Sequence, residues 1–307
     1  MHNIKEIRND IEAFKKALNK RFLDLDVDQI LSLDETNRKY IKQREILEKE
    51  KKDISKLKDK TLFEKSKNIS IEIEKINNLQ TVVKEQLETI LSSIPNIPYS
   101  DVPIGKDENS NIEILKSGTI PKFTFTPKSH YELGENLEML DFDLATKTTG
   151  SRFVFVKDKL ALLERALSNF MLDTHVNTNG YKEISPPLIA TDSTMFGTGQ
   201  LPKFDNDQFE LKLDESSDRK FLIPTAEVIL TNIVKDQIID KKILPMRMVA
   251  STPCFRKEAG SYGKDTKGMI RQHQFYKVEM VSIVEAEKCL PELDRMTDCA
   301  TKILDLL

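Results

Sequence analysis

The sequence predicts an α+β fold in which an N-terminal antiparallel coiled-coil hairpin precedes a domain built on an antiparallel sheet. Residues 28–92 contain no glycine or proline and repeat apolar residues at heptad spacing, as paired helices do. Residues 252–283 instead hold two runs of alternating side chains around a polar, glycine-containing loop, which is typical of paired strands. A proline-containing segment, 95–121, separates the two patterns, so we place the domains at 1–100 and 101–307.

Two heptad series predict the hairpin. The first helix places an apolar or aromatic residue at every seventh position: Leu33, Tyr40, Leu47 and Ile54. The second helix follows a 4-3 spacing, interrupted by Gln80, through Ile69, Ile73, Ile76, Val83, Leu87, Ile90 and Ile94. A break near residue 60 lets the two helices fold back on each other, with arms of about 45 Å. Asn37, Arg44 and Lys51 fall on the seam of the first helix and weaken its register.

Charge is distributed unevenly along the hairpin. Residues 49–67 carry eight lysines against four acidic residues, although the whole chain has a net charge of −3. The overall balance excludes a uniformly basic nucleic-acid binder, so any RNA contact must come from a local patch such as this one. By itself the stretch is typical of a solvated coiled-coil surface, and the alternative is a tip that binds phosphates.

Cysteine usage and the N-terminus indicate a cytoplasmic protein. Cys254, Cys289 and Cys299 have neither the paired spacing of a metal site nor the pattern of a disulfide framework, so we predict no metal held by protein ligands. The N-terminus lacks the apolar core of a signal peptide, and no stretch is long and apolar enough to span a membrane.

The second domain begins with helical and extended patterns in turn. Residues 130–155 predict a helix followed by a strand, and 158–178 predict a long amphipathic helix. Residues 181–189 follow as a strand. Pro186 and Pro187 cannot donate to a central ladder, so this strand belongs at an edge.

Two amphipathic helices are predicted at the ends of the chain. Residues 1–27 carry apolar residues at helical spacing and predict one short helix that packs on the rest of its domain. Residues 285–307 predict another, with an apolar face formed by Leu290, Leu293, Met296, Ala300, Ile303 and Leu307.

Charged and aromatic residues gather on one face of the predicted strand pair. Arg256 and Glu258 point the same way if the first strand stays extended, and Phe275, Lys277 and Glu279 share a face of the second. Pairing the strands collects a guanidinium, carboxylates and an aromatic ring on one side of the sheet. Such a surface suits a ligand that is anionic at one end, aromatic in the middle and cationic elsewhere.

A hydroxyl and a carboxylate lie two residues apart upstream of these strands. Thr225 and Glu227 share a face if this segment is extended, and together they can hold an ammonium group. Alone, the triplet Thr225-Ala226-Glu227 is typical of a helix cap or a turn, so its function depends on context.

Three runs of the sequence together resemble one enzyme family. FRKEAGSYGKDTKGMIRQHQFYKVEMV, at 255–281, resembles the second signature of class II aminoacyl-tRNA synthetases in the form that seryl-tRNA synthetases carry. GTGQLPKF at 197–204 and the triplet at 225–227 are similar to further runs of that family. The resemblance implies that 101–307 form a class II catalytic domain and that the 28–92 hairpin grips tRNA(Ser).

The resemblance also implies substrates and residue roles. The substrates are ATP, with Mg²⁺ bridging its phosphates, and L-serine. Arg256 is the implied catalytic residue, because its guanidinium can hold the α-phosphate and stabilise the charge that grows there. The implied ATP contacts are Arg256, Lys257, Glu258, Gln272 and Phe275. The implied L-serine contacts are Thr225, Ala226, Glu227 and Glu279.

The function implied by the resemblance is activation of L-serine to seryl-adenylate and transfer to tRNA(Ser), with tRNA(Sec) as a further acceptor. The helix and strand at 158–189 resemble the first class II signature, which implies a homodimer interface. Family members continue past the last helix to a third signature, so the resemblance implies a C-terminally truncated chain. Two alternatives stay open: an amino acid:carrier-protein ligase related to class II synthetases, and a non-catalytic tRNA-binding remnant.

Overall fold

A computed structural model describes residues 2–23, 25–57, 59–212, 218–259 and 267–307. The chain divides into two compact units, Met1–Ile120 and Pro121–Leu307. The boundary predicted near residue 100 falls in the segment that ends the first unit, where a short 3-10 turn at Glu108–Ser110 is the regular element.

The first unit opens with two short helices where the sequence predicted one. α1 (Ile4–Asn9) and α2 (Ile11–Asn19) are separated at Asp10, whose carboxylate accepts from the Ala13 amide and caps α2. The prediction of a single helix over 1–27 was wrong, because this cap restarts the helix. Both helices still pack on the hairpin base, in a cluster of Ile7, Phe14, Leu18, Val27, Ile30, Leu87, Leu91 and Ile94.

The predicted helical hairpin is confirmed. α3 (Val27–Leu57) and α4 (Phe63–Ser93) run antiparallel and are joined through a 3-10 turn at Lys60–Leu62. Every residue of the two predicted heptad series is buried or half-buried, so the seam lies where the spacing placed it. Of the predicted lysine-rich stretch, Lys58 and the side chain of Lys60 lie outside the described residues.

The second unit begins with two helices and a short strand pair. α5 (His130–Asn136) leads into β1 (Leu140–Asp141), then α6 (Phe142–Thr148), and β2 (Phe155–Val156) pairs antiparallel with β1. The predicted helix and strand over 130–155 omitted α6. That helix forms because the Asp141 carboxylate accepts from the Leu144 amide and caps its first turn.

The predicted long helix is present as α7 (Asp158–Asn177), and β3 (Lys182–Glu183) follows it. β3 is an edge strand that pairs parallel with β7 (Met246–Phe255). The strand predicted over 181–189 is much shorter than expected. The two prolines at 186 and 187 lack amide donors, so the ladder stops before them.

A second three-stranded sheet has the order β4-β6-β5. Its strands are β4 (Ile189–Thr191), β5 (Glu210–Leu211) and β6 (Lys220–Leu222). α8 (Asp192–Gly197) follows β4, and α9 (Glu227–Asn232) follows β6. Packing among Ala190, Met195, Leu201, Phe221, Ile223 and Val228 fixes the turn that leads from β6 into α9.

The predicted strand pair is confirmed. β7 pairs antiparallel with β8 (Gln274–Ile283), in a register that runs from Met246 opposite Ile283 to Phe255 opposite Gln274. Residues 260–266, part of the predicted polar loop between them, lie outside the described residues.

The last helix, α10 (Cys289–Leu306), buries only part of the face that was predicted. Leu290 and Leu293 are exposed, whereas Cys299 and Ile303 are buried together with the charged Glu292. Neither this helix nor any other in the described part of the chain is long and apolar enough to cross a membrane.

Candidate active site

One face of the β7–β8 pair carries the side chains that the sequence singled out. Phe275, Lys277 and Glu279 alternate along β8 and therefore share this face. Cys254 lies opposite Phe275 on β7 and is fully buried. Burial raises the pKa of the Cys254 thiol, so this cysteine is a neutral packing group beneath the site.

The chain leaves β7 at Arg256 and turns within three residues. The Arg256 amide donates to the His273 carbonyl at 2.9 Å. Glu258 has a φ of 50°, so the extended alternation expected from the sequence stops before it. Arg256 and Glu258 nevertheless line one cavity of about 270 Å³. Its other described lining residues are Gln200, Phe204, Asp207, Gln208, Pro224 and Arg271.

The guanidinium of Arg256 is held between a carbonyl and a ring. Its Nε donates to the Pro224 carbonyl at 3.4 Å, and its central carbon lies 5.3 Å from the centre of the Phe275 ring. On the other side of the cavity, Arg271 lies 3.3 Å from the Glu258 carboxylate. Arg256 thus lies beside the Phe275 ring, and the cavity that it lines also carries the Glu258 carboxylate.

Thr225, Ala226 and Glu227 lie where α9 begins, so the segment has the helix-cap or turn geometry that is typical of this triplet and is not extended. The Glu227 amide donates to the Thr225 hydroxyl at 3.3 Å, which is a turn-type contact. Ala226 is fully buried in a cluster with Leu230, Met248, Ala250 and Val281, so its contact with L-serine stays a prediction.

Thr225 joins this turn to the sheet face through its hydroxyl. The hydroxyl donates to Glu279 Oε2 and accepts from Lys277 Nζ at 3.0 Å. Lys277 also forms an ion pair with Oε2 of Glu279. We assigned no role to Lys277 from the sequence, although its position two residues before Glu279 on the same strand face was a sufficient signal.

Glu227 shares an electrostatic environment with these groups. Burial raises the pKa of Glu227, and repulsion from Glu279 raises it further. Lys277 and Arg256 act in the opposite direction. The residues that the sequence linked to an ammonium ligand therefore lie close to the guanidinium that it linked to a phosphate.

Comparison with known proteins identifies the family. The serine–tRNA ligase of Pelagibacter ubique (strain HTCC1062) is 87% identical over 307 residues, which cover 100% of this chain and 73% of that protein. The chain belongs to the seryl-tRNA synthetase family. The resemblance read from the three sequence runs is thereby confirmed.

Further comparisons agree with this assignment. The serine–tRNA ligase of Rhodopseudomonas palustris (strain BisB5) is 46% identical over 319 residues, covering 99% of this chain and 73% of that protein. Residues 1–98 match the seryl-tRNA synthetase N-terminal domain family, and 208–307 match the tRNA synthetase class II core domain (G, H, P, S and T) family.

Two solved structures share the fold. Seryl-tRNA synthetase from Pyrococcus horikoshii complexed with ATP has 32% identity and a TM-score of 0.85, covering 99% of this chain and 74% of its own. Cytoplasmic serine–tRNA ligase from Naegleria fowleri in complex with AMP has 26% identity and a TM-score of 0.77, covering 94% and 67%. The predicted α+β class II architecture is therefore confirmed.

Three of the five predicted ATP contacts, namely Lys257, Gln272 and Phe275, are not among the residues that line the cavity, and two of them have other surroundings. Lys257 Nζ lies 5.8 Å from the centre of the Phe209 ring, and the Lys257 amide donates to the Asp207 carbonyl at 2.8 Å. Gln272 is buried, and its Nε2 finds no hydrogen-bond partner among the described residues. Both residues remain ATP contacts by prediction only.

The described part of the chain has no cluster of side chains that could hold a metal ion by itself. It contains no group of three or more His, Cys, Asp or Glu side chains arranged to hold an ion. Magnesium keeps several waters and is usually bound through one or two carboxylates plus substrate phosphates. An arrangement of that kind is compatible with this site, where Glu258 lies in the same cavity as Arg256.

Proposed function

We propose that this chain activates L-serine with ATP to seryl-adenylate and transfers the seryl group to tRNA(Ser). One juxtaposition supports the proposal above all. Arg256 borders the cavity at the end of β7, and its Nε donates at 3.4 Å to the carbonyl of Pro224, the residue before Thr225. A phosphate and an amino acid can therefore lie side by side on this face.

The proposed first step is attack of the serine carboxylate on the α-phosphorus of ATP. A new bond forms between a carboxylate oxygen and phosphorus, and the bond to pyrophosphate breaks. Arg256 is placed to stabilise the charge that grows on the α-phosphate. No general base is needed, because the attacking carboxylate is already ionised. Mg²⁺, when bound, neutralises the charge of the other phosphates.

The base of the nucleotide would lie toward Phe275 and Glu258. The Phe275 ring offers a stacking surface, and the Glu258 carboxylate can accept from an exocyclic amino group. Glu258 is positioned by the turn after β7 and by its contact with Arg271 at 3.3 Å.

The amino acid would lie toward the turn before α9. Glu227 provides the negative charge for its ammonium group, and Glu279 accepts a hydrogen bond from its hydroxyl. A site built to bond a hydroxyl rejects an analogue without one, since a buried acceptor is then left unpaired.

The 28–92 hairpin is our proposed tRNA contact. Lys49, Lys52 and Lys67 are exposed and form no ion pair with the described residues, so they are available to phosphates. Deletion of 30–90 should abolish tRNA(Ser) binding in a filter assay and leave L-serine binding intact. Unchanged tRNA affinity would contradict this proposal. The same assay with tRNA(Sec) tests the further acceptor.

We also propose that the chain forms a homodimer through 158–189 and acts in the cytoplasm, where its substrates are found. Sedimentation at micromolar concentration tests the association. A monomer would contradict it.

Amino-acid-dependent exchange of pyrophosphate into ATP, run with all twenty amino acids, tests the central proposal. A signal with serine alone supports it. A signal with a different amino acid favours a ligase for a carrier protein, and silence with retained tRNA binding favours a non-catalytic remnant.

A further inference from the structure

We infer that Lys277 determines amino-acid specificity as a positioning residue: it fixes Glu279 so that one carboxylate oxygen stays free for the hydroxyl of the substrate. The inference deepens the proposed serine activation and rests on it. The sequence alone gave the Lys277 side chain no role.

One oxygen of the Glu279 carboxylate makes both of its contacts. Thr225 and Lys277 both bind Oε2, and Oε1 has no partner among the residues that the structure describes. An ionised carboxylate is a pure acceptor, so the remaining oxygen can take only a donor. A substrate hydroxyl is a donor of the required kind.

The hydroxyl of Thr225 is not available to bind the substrate hydroxyl. It donates its one proton to Glu279 and accepts from both Lys277 Nζ and the Glu227 amide. One donor and two acceptor sites are all that a hydroxyl has. Thr225 is therefore a fully occupied support, and Glu279 Oε1 is the acceptor that this cluster presents.

Lys277 also sets the charge of the pocket. Glu227 and Glu279 repel each other, and the lysine ammonium offsets that repulsion. Glu227, Glu279 and Lys277 together leave one negative charge for the substrate ammonium, and the charge of Arg256 faces the same group from the phosphate side. Without Lys277, Glu279 is free to turn and to neutralise the substrate ammonium itself, so recognition of the hydroxyl is lost.

Calorimetric titration of the whole chain with L-serine, L-alanine and glycine tests the inference. We expect Lys277→Met to lose about tenfold in L-serine affinity, equal to about 1.4 kcal/mol, with little change for L-alanine or glycine. Lys277→Arg should keep most of the preference, because it retains the charge. The matched control is Lys288→Met, which removes an exposed lysine paired with Glu285 at 3.3 Å outside the site.

The pH dependence of L-serine binding tests the electrostatic part of the inference. Glu227 is faced by Glu279, Lys277 and Arg256. Removing the lysine ammonium raises the pKa of Glu227 further, so in Lys277→Met the loss of L-serine binding on acidification should begin at a higher pH. Lys277→Arg keeps the charge and should keep the wild-type profile, and an unmoved profile in Lys277→Met would contradict the electrostatic part of the inference.

The outcomes distinguish the two proposals. A wild-type chain with no preference for L-serine overturns the proposed function itself. A wild-type preference that Lys277→Met keeps unchanged overturns the role of Lys277 alone. If circular dichroism shows that Lys277→Met is unfolded, Lys277→Gln is titrated instead, and a preserved preference there contradicts the inference in the same way.

Discussion

Arg247 and Glu292 form a two-point ion pair that joins β7 to α10. Arg247 Nε donates to Oε1 and Nη2 to Oε2, each at 2.8 Å. The Glu292 side chain is only 8% exposed, and Arg295 donates to both of its oxygens as well. This cluster explains why α10 turns a charged residue inward and leaves Leu290 exposed.

We predict that Glu292→Ala destabilises the fold strongly. The substitution leaves Arg247 and Arg295 facing each other without their shared carboxylate. Removing one partner of a buried ion pair costs about 3 kcal/mol. Urea unfolding at pH 7 measures the loss. Glu287→Ala, at an exposed position before the same helix, is the control and should change stability by less than about 0.5 kcal/mol.

The same pair predicts a pH dependence of stability. Hydrogen bonds from Arg247, with help from Arg295 and against the effect of burial, hold the pKa of Glu292 well below its usual range. Its folded pKa is thus lower than its unfolded value of about 4.3, so its contribution is complete above that value and declines as the pH falls below it. The stability gap between wild type and Glu292→Gln should therefore narrow as the pH falls from about 5 to about 3. A constant gap would contradict the prediction.

Arg256→Ala should reduce adenylation much more than it reduces L-serine binding. The guanidinium borders the phosphate side of the site, so its main effect is expected on the charge that develops in the transition state. Loss of one such donor costs about 10²- to 10³-fold in rate. Single-turnover adenylate formation and calorimetric L-serine affinity give the two quantities. Equal loss in both would assign the arginine to binding, and the exposed Lys242→Ala should change neither.

Local spacing predicted the hairpin and the β7–β8 pair. Heptad and alternating patterns decide which side chains face inward, and the seam and the strand register follow from them. Spacing failed where a distant partner decides the outcome. Glu292 is inward because of Arg247, 45 residues earlier in the chain, and no pattern within α10 shows that.

The candidate site also combines features that local spacing predicts with features that it does not predict. Strand alternation was enough to group Phe275, Lys277 and Glu279. The hydrogen bond from Thr225 to Glu279 spans 54 residues and depends on the turn between β6 and α9. Strand alternation does not predict that turn. The side-chain placement of Lys257 and Gln272 depends on tertiary packing, which local alternation does not determine.

The hairpin seam contains a polar layer that predicts non-additive mutations. Arg44 donates to Asn77 at 3.4 Å and to Gln80 at 3.3 Å, and Gln80 donates to Asn37 at 3.1 Å. Arg44 Nε is buried and lies 3.5 Å from Glu48 Oε1, but it makes no hydrogen bond among the described residues. Gln80→Leu alone should lower stability by about 1 kcal/mol, because it removes an acceptor from the arginine.

The double variant Arg44→Leu/Gln80→Leu should instead be as stable as wild type or more stable. It replaces the two long polar side chains of the layer with apolar ones and leaves Asn37 and Asn77, which are half-buried, in place. Replacing both partners of a polar contact is often neutral or favourable. Thermal unfolding followed by circular dichroism of the whole chain checks both variants. Additive losses in the double variant would contradict the prediction.

Asp207 holds the turn that positions Arg256 and Glu258, and its removal should weaken ATP binding. Its carboxylate accepts from the Ala259 amide at 2.7 Å, and its carbonyl accepts from the Lys257 amide at 2.8 Å. Asp207→Ala removes the first of these anchors, so the turn loses its fixed geometry and ATP affinity should fall about tenfold, or about 1.4 kcal/mol. Asp207→Asn retains a carbonyl acceptor and should recover most of that affinity. Calorimetric ATP titration decides it: equal affinity of the alanine variant and wild type would mean that the turn is held by its other contacts.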